Sequence, residues 1–277
     1  MGSRRGRIGM KKQIICINWG TKYGPVYINR LYGMVARNIT PPFTFTCFTD
    51  NDQGVRPEVR CEPLPPLNAE LPKHSRGIWG KARLWNAELA DLEGPVLFLD
   101  LDLLVTGSLD DFFSRGDPDD VILAVNPVRP LERLGQTSIY RFPVGKLLPL
   151  LKAFEADSLG IAARYEFEQR FVTRNAPGGI KFWPRAWVRL FRHDLIPAFP
   201  RNYFEAPRLP RDAKVVLFAG HLNPPEAVSG RWTKRSEARS PAQHIAATFS
   251  GQRRESVVRH LGHYFRPAGW IAEHWRE

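Results

Sequence analysis

Long apolar runs are what this chain most plainly lacks. Behind the basic stretch Met1 to Lys12, the run Gln13-Ile14-Ile15-Cys16-Ile17 already ends at Asn18, too short for the apolar region of a signal peptide and far too short to cross a bilayer. A soluble, cytoplasmic protein is the expectation. Cysteine is scarce: the 277 residues hold 3, Cys16, Cys47 and Cys61, with no CxxC spacing. That odd, scattered set excludes a disulfide framework, and Cys16 and Cys47, inside apolar runs, read as small buried hydrophobes. Acidic residues are also short, 28 Asp and Glu against 40 Lys and Arg, for a net charge of +12. The surplus calls for a polyanionic neighbour: nucleic acid, an anionic membrane surface or a phosphate-bearing substrate. Finger spacing, a recognition-helix pattern and stacking motifs are all missing, and the Lys and Arg residues are spread rather than clustered, so nucleic acid is not an expected partner.

What is there is ordinary globular composition, 43% hydrophobic and 25% charged, enough to bury a core as one large domain or two small ones. The first apolar run suits a buried parallel strand. After it come the turn formers Asn18 to Gly24, then helical periodicity from Val26 to Val35. Phe43 to Phe48 repeats the strand signal and stops at Thr49-Asp50-Asn51-Asp52. In open α/β sheets ligands lie beyond the carboxyl ends of the strands, so Asn18 and Asp50 are candidate ligand contacts, although turn chemistry also accounts for Asp50. A proline-rich connection, Pro63 to Pro72, leads to an expected amphipathic helix from Ile78 to Leu92, which Gly94-Pro95 stops. Val96 to Leu99 and Val121 to Val125 are further strands, and the alternation predicts an α/β layered fold. Later strands are expected at Ser138 to Phe142, Val188 to Phe191 and Val215 to Phe218, and helices at Lys146 to Phe154 and Ile161 to Phe171. The tail Arg253 to Trp275 reads as a basic, aromatic amphipathic helix that either lies on an anionic membrane or packs on the sheet.

One segment carries chemistry. Asp100 and Asp102 are separated by Leu101 at the end of Val96-Leu97-Phe98-Leu99 and are followed by Leu103-Leu104-Val105. Two carboxylates spaced by one residue at a strand terminus point to the same side, so both can converge on a hard cation such as Mg²⁺ or Mn²⁺, with Leu101 turned into the core. Apolar flanks argue against a solvated acidic turn. Such a cation can bridge diphosphate oxygens and stabilise the charge on a departing nucleoside diphosphate.

The stretch from Val96 to Phe113 resembles the metal-binding segment of glycosyltransferases with the GT-A fold, especially family 8 and its bacterial relatives: an apolar strand, Leu-Asp-x-Asp, then Val, Gly, Leu and Phe at matching spacings. Other pieces follow in the same order. Trp79 to Leu84 is similar to the basic helix before the motif, which makes Lys81 and Arg83 donor-holding candidates, with a solvated helix face as the plainer alternative. Thr137 to Arg141 resembles the segment that contacts the donor sugar, and Ser138 is its candidate. Glu168-Gln169 is similar to the acidic-Gln pair near the acceptor, although the surrounding helix could also be wholly exposed. Val216 to Pro224 resembles the late element that supplies a histidine ligand to the metal and a lysine to the diphosphate. Here Ala219 stands at the histidine position and His221 at the lysine position, leaving Gly220 and His221 as candidates for diphosphate or metal.

The resemblance implies a GT-A, Rossmann-like α/β fold with a mixed central sheet. It implies one domain over residues 1–277: a nucleotide-binding half (13–125), an acceptor-side half (126–250) and a basic C-terminal helix (251–277). It also implies Mn²⁺ or Mg²⁺ held by Asp100, Asp102 and His221, and transfer of a sugar from a nucleoside-diphosphate sugar, a UDP-sugar, to a hydroxyl of a glycan or lipid-linked acceptor in surface polysaccharide or glycolipid synthesis. Retention of anomeric configuration belongs to the same resemblance. Glu168 and Gln169 complete the catalytic set, and the basic tail suits peripheral contact with an anionic inner membrane. Two alternatives stand beside it. A haloacid-dehalogenase-like phosphatase also writes Asp-x-Asp after an apolar strand, with Asp100 as nucleophile and Asp102 as acid/base, but that motif opens its fold and here two strand signals precede it. A non-enzymatic, basic nucleic-acid binder is the other.

Overall fold

Both faces of the first strand are buried, and that sets the layering. The computed structural model describes residues 11–73, 77–220, 222–249 and 255–277. Every side chain of β1 (Gln13–Asn18) is buried. Ile14 and Cys16 join one core with Leu31, Met34 and Val35 of α1 (Pro25–Arg37), whereas Ile15 and Ile17 join a second core with Trp79, Leu84 and Trp85. The two-residue period of a strand divides its side chains in this way, and a strand sandwiched between two cores needs the unbroken apolar run seen in the sequence.

Strands β2 (Thr44–Thr49), β3 (Arg60–Glu62) and β4 (Pro95–Leu99) extend β1 into a parallel group. After β5 (Leu104–Val105) and the short helix α2 (Asp110–Ser114) come β6 (Ile122–Val125), β7 (Gly135–Pro143), helices α3 (Leu148–Ala156), α4 (Ser158–Tyr165) and α5 (Glu168–Asn175), then β8 (Lys181–Phe182), β9 (Val188–Leu190) and β10 (Val215–Leu217). The main sheet has 7 strands in the order β3-β2-β1-β4-β7-β6-β8, with β7 antiparallel to both β4 and β6. A second sheet, β5-β10-β9, carries the late strands beside the segment that follows Asp102. The mixed α/β architecture is the expected one, and the main sheet draws strands from both halves of the chain.

Helix boundaries depart from the expectations where side chains wedge or the backbone turns over. From Ile78 to Leu92 the only helix is a 3₁₀ segment, Trp79–Trp85. Trp79 stacks flat on Phe154 at 5.0 Å, and the Trp19 indole lies so close that a Cβ on Gly80 would sit 2.5 Å from it, so packing overrides the helical period. The expected helix Ile161 to Phe171 is two, α4 and α5, because Glu166 takes φ 61° and the following residue, Phe167, is extended. The predicted continuous basic C-terminal helix is likewise broken. Beyond α6 (Pro224–Ser229) and α7 (Pro241–Thr248), the tail forms α8 (Val257–Gly262) and α9 (Trp270–His274). Pro267 lies between them, and Tyr264, Phe265, Ile271 and Trp275 are buried. Arg253 and Arg254 lie outside the described residues. Among the described residues no helix is long and apolar enough to cross a membrane.

Candidate active site

The end of β4 is pinned before its carboxylates begin, since Asp100 N–H donates to the Ser138 carbonyl of β7 at 2.9 Å. Leu101 is 3% exposed and turns into the core, so Asp100 and Asp102 leave the sheet on the same side. Lys81, itself only 4% exposed, brings its ammonium within 2.7 Å of one Asp100 oxygen and 2.8 Å of the other. Burial works against that charge, but Asp100 and Glu168 outweigh it and hold the lysine above its ordinary pKa. The Tyr23 hydroxyl donates to Asp102 Oδ2 at 2.5 Å. Burial, then Asp102, pushes the phenol far up, which keeps it protonated and a donor. Burial and the neighbouring Asp100 raise the Asp102 carboxyl, while Tyr23, Lys22 and Lys81 pull it down.

Opposite this cluster, Glu168 opens α5 and is 6% exposed, not solvated. Its carboxylate accepts from Ile78 N–H at 2.8 Å and from the Thr137 hydroxyl at 3.3 Å. Between the two walls lies a cavity of about 280 Å³. Of the residues singled out from sequence, Asn18, Lys81, Asp100, Asp102, Ser138, Glu168, Gln169 and Gly220 line it. Arg83 does not: its guanidinium donates to the Pro65 carbonyl at 2.7 Å and secures the proline-rich connection. Asp50 does not either, but it accepts from Gly20 N–H at 2.9 Å and so shapes the loop that does. His221 lies outside the described residues, and Ala219 lines the cavity where the family pattern has histidine. Among the described residues no three His, Cys, Asp or Glu side chains converge on a metal-sized point.

The cavity also contains residues that sequence reasoning passed over: Trp19, Lys22, Tyr23, Gln136 and Phe167. A signal existed for some. Trp19, Lys22 and Tyr23 share the loop after β1 with Asn18, and strand periodicity puts Gln136 beside Ser138. Nothing local marks Phe167. Three other tryptophans, whose rings are of the kind that stacks on sugars, sit away from the cavity: Trp183 and Trp187 pack on Phe112, and Trp232 lies against His263 and Arg192.

No protein-family model matches the sequence, and no curated protein does either. Solved structures do match. Galactosyltransferase LgtC, crystallised with donor and acceptor sugar analogues, superposes at a TM-score of 0.55 and 14% identity over 94% of this chain and 99% of its own. The chain has a GT-A fold. Glycosyltransferase GlyE of Streptococcus pneumoniae TIGR4 shares it at a TM-score of 0.52 and 12% identity, over 91% of this chain and 63% of GlyE. So does bifunctional WbbM, at 0.52 and 12%, over 77% of this chain and 46% of WbbM. The cavity lies at the carboxyl ends of β1 and β4, where the parallel group meets antiparallel β7.

Proposed function

We propose that the chain is a metal-dependent glycosyltransferase that uses a nucleoside-diphosphate sugar, a UDP-sugar, and an acceptor hydroxyl on a glycan or lipid-linked glycan. The observation that carries this reading is the pair Asp100 and Asp102 set across one cavity from Glu168 and Gln169, with buried Lys81 between them. The residues fit a divalent cation. Among the described residues Asp102 Oδ1 has no protein partner, and each Asp100 oxygen retains lone pairs beyond those facing Lys81. Asp100 and Asp102 would hold Mn²⁺ or Mg²⁺, with donor oxygens and water completing a shell that such ions accept. A divalent ion held there would offset negative charge on the diphosphate leaving group.

The chain's own groups divide the remaining work. Lys81 holds the Asp100 carboxylate in place with contacts to both oxygens, and Lys22, at the cavity lip, adds charge for the diphosphate. Glu168, fixed by two hydrogen bonds, orders the loop before Trp79. Among the described residues the Gln169 side chain has no protein partner and is available to a sugar hydroxyl. In the transfer, the bond from the anomeric carbon to the diphosphate breaks, a bond to the acceptor oxygen forms and the acceptor proton is released.

The test is a binding and hydrolysis screen of nucleotide sugars with Mn²⁺. Asp102→Ala is expected to weaken donor binding on the order of a hundredfold; binding indifferent both to that substitution and to chelator overturns the metal site. Release of phosphate from small phosphate esters would favour the phosphatase. An acceptor at an anionic membrane is supported by Phe204, Phe249 and Val258, which are 76%, 80% and 81% exposed on elements that pack around Tyr203 and His244, together with the exposed Arg259. Co-sedimentation with phosphatidylglycerol vesicles, lost in 0.5 M salt or with Phe204→Ser and Phe249→Ser, is the expected result.

A further inference from the structure

A line of aromatic rings joins the C-terminal helix to the aspartate pair. Trp275, 6% exposed, sits in the core with Ile271 and Ala227. Its ring meets Tyr27 of α1 edge-on at 5.3 Å. Tyr27 meets Tyr23 at 4.7 Å, and the Tyr23 hydroxyl ends on Asp102. The Lys22 ammonium also lies 4.4 Å from the Tyr23 ring centre, so the phenol is packed by a second neighbour.

The far end of the line is bolted down. The Arg37 guanidinium donates to the carbonyls of His274, Arg276 and Glu277 at 3.0, 2.7 and 2.8 Å. Gly33 lets that backbone lie directly on α1, since a Cβ there would come within 2.5 Å of Glu277. Ala268 N–H donates to the Ala227 carbonyl of α6 at 3.1 Å, which ties the same segment to the wall that follows Gly220. Among the described residues the buried Trp275 Nε1 has no partner, so this site uses the ring and not the indole N–H.

We propose that Trp275, Tyr27 and Tyr23 are positioning residues through which the C-terminal helix sets the Asp102 carboxylate, with Tyr23 occupying Oδ2 so that Oδ1 faces the cavity. The proposal rests on Asp102 being a cation ligand, as inferred above. A carboxylate held by a fixed outer partner presents its free oxygen in one direction, and loss of such partners costs metal sites about tenfold to a hundredfold in affinity. A chain of packed rings transmits position because each ring is confined by the next.

The experiment measures Mn²⁺ affinity by electron paramagnetic resonance and UDP affinity by calorimetry on the full chain. Tyr23→Phe and Trp275→Ala are each expected to weaken Mn²⁺ about tenfold, and the double variant to lose no more than the worse single, as coupled sites do. Trp275→Phe is expected to restore most of the affinity, because it keeps an aromatic ring against Tyr27 while losing the unpaired N–H and the smaller ring of the indole. Tyr27→Leu, at a half-buried position, makes the same test should Trp275→Ala fail to fold. Wild-type-like Mn²⁺ affinity in Trp275→Ala, additive losses in the double variant, or tighter binding in Tyr23→Phe overturns the relay while leaving the glycosyltransferase reading intact. A wild-type chain that binds neither Mn²⁺ nor UDP overturns both.

Discussion

Lys81 shows how a single side chain ties stability to chemistry. A lysine 4% exposed has lost nearly all its hydration, and the Asp100 carboxylate on its ammonium, with Glu168 and Asp102 beyond it, makes that burial tolerable. Removing one member of a buried pair strands the other charge. Lys81→Met is therefore expected to destabilise the fold by about 3–5 kcal/mol, seen as a lower denaturant midpoint, whereas Lys81→Met with Asp100→Asn recovers most of that loss. Full recovery of stability with no recovery of Mn²⁺ binding would separate the structural from the functional share of the pair. The pairing was half legible in the sequence: the position of Lys81 before the motif marked it, but nothing local said that Arg83, two residues on, turns instead to Pro65.

At the scale of elements, the departures from periodicity are backbone events that side-chain pattern does not encode. The chain leaves the 3₁₀ segment Trp79–Trp85 through an exposed Ala90 at φ 52°. An L-residue in that left-handed region costs roughly 1–2 kcal/mol, and glycine adopts it freely. Ala90→Gly is expected to raise stability by about 0.5–1 kcal/mol after the greater chain entropy of glycine is subtracted, measurable as a higher melting temperature; a lower one would mean the methyl group packs. Strands were easier to read. The runs of β1, β2 and β4 are legible within a residue or so because they stop abruptly at polar groups, and the stops of β1 and β4 line the cavity. Helix α5 was harder, since Glu166, Glu168 and Arg170 make it look solvated on all sides, while Glu168 is buried against the Trp79 segment.

Across the whole molecule, the late helices form a module with its own pH response. His244 is 8% exposed, its Nδ1 pairs with the Tyr203 hydroxyl at 2.8 Å, and His260 stacks on its ring at 4.2 Å. Burial, then His260, Arg239 and His263, lowers its pKa to about 4; Tyr264 is the remaining titratable neighbour. Because the folded imidazole refuses a proton that the unfolded one accepts near its ordinary 6.5, stability is complete above that value and falls as pH drops toward 4. The loss is expected to reach about 1–2 kcal/mol near pH 5, and His244→Gln should flatten the dependence of melting temperature on pH. His263 and His274 are lowered in the same direction, so the residual slope in that variant reports on them.

The sequence by itself determined the layering and the aspartate pair. An apolar run buried on both faces admits few folds, and carboxylates at the end of such a run have one sheet edge to occupy. Which side chains meet those carboxylates was decided only by tertiary structure. Tyr23 and Asp102 are 79 residues apart, Glu168 stands beyond a break between two helices, and Trp275 reaches the site through two other rings. No local periodicity records contacts of that range, because they exist only once the sheet and its two cores have brought the loops to one edge.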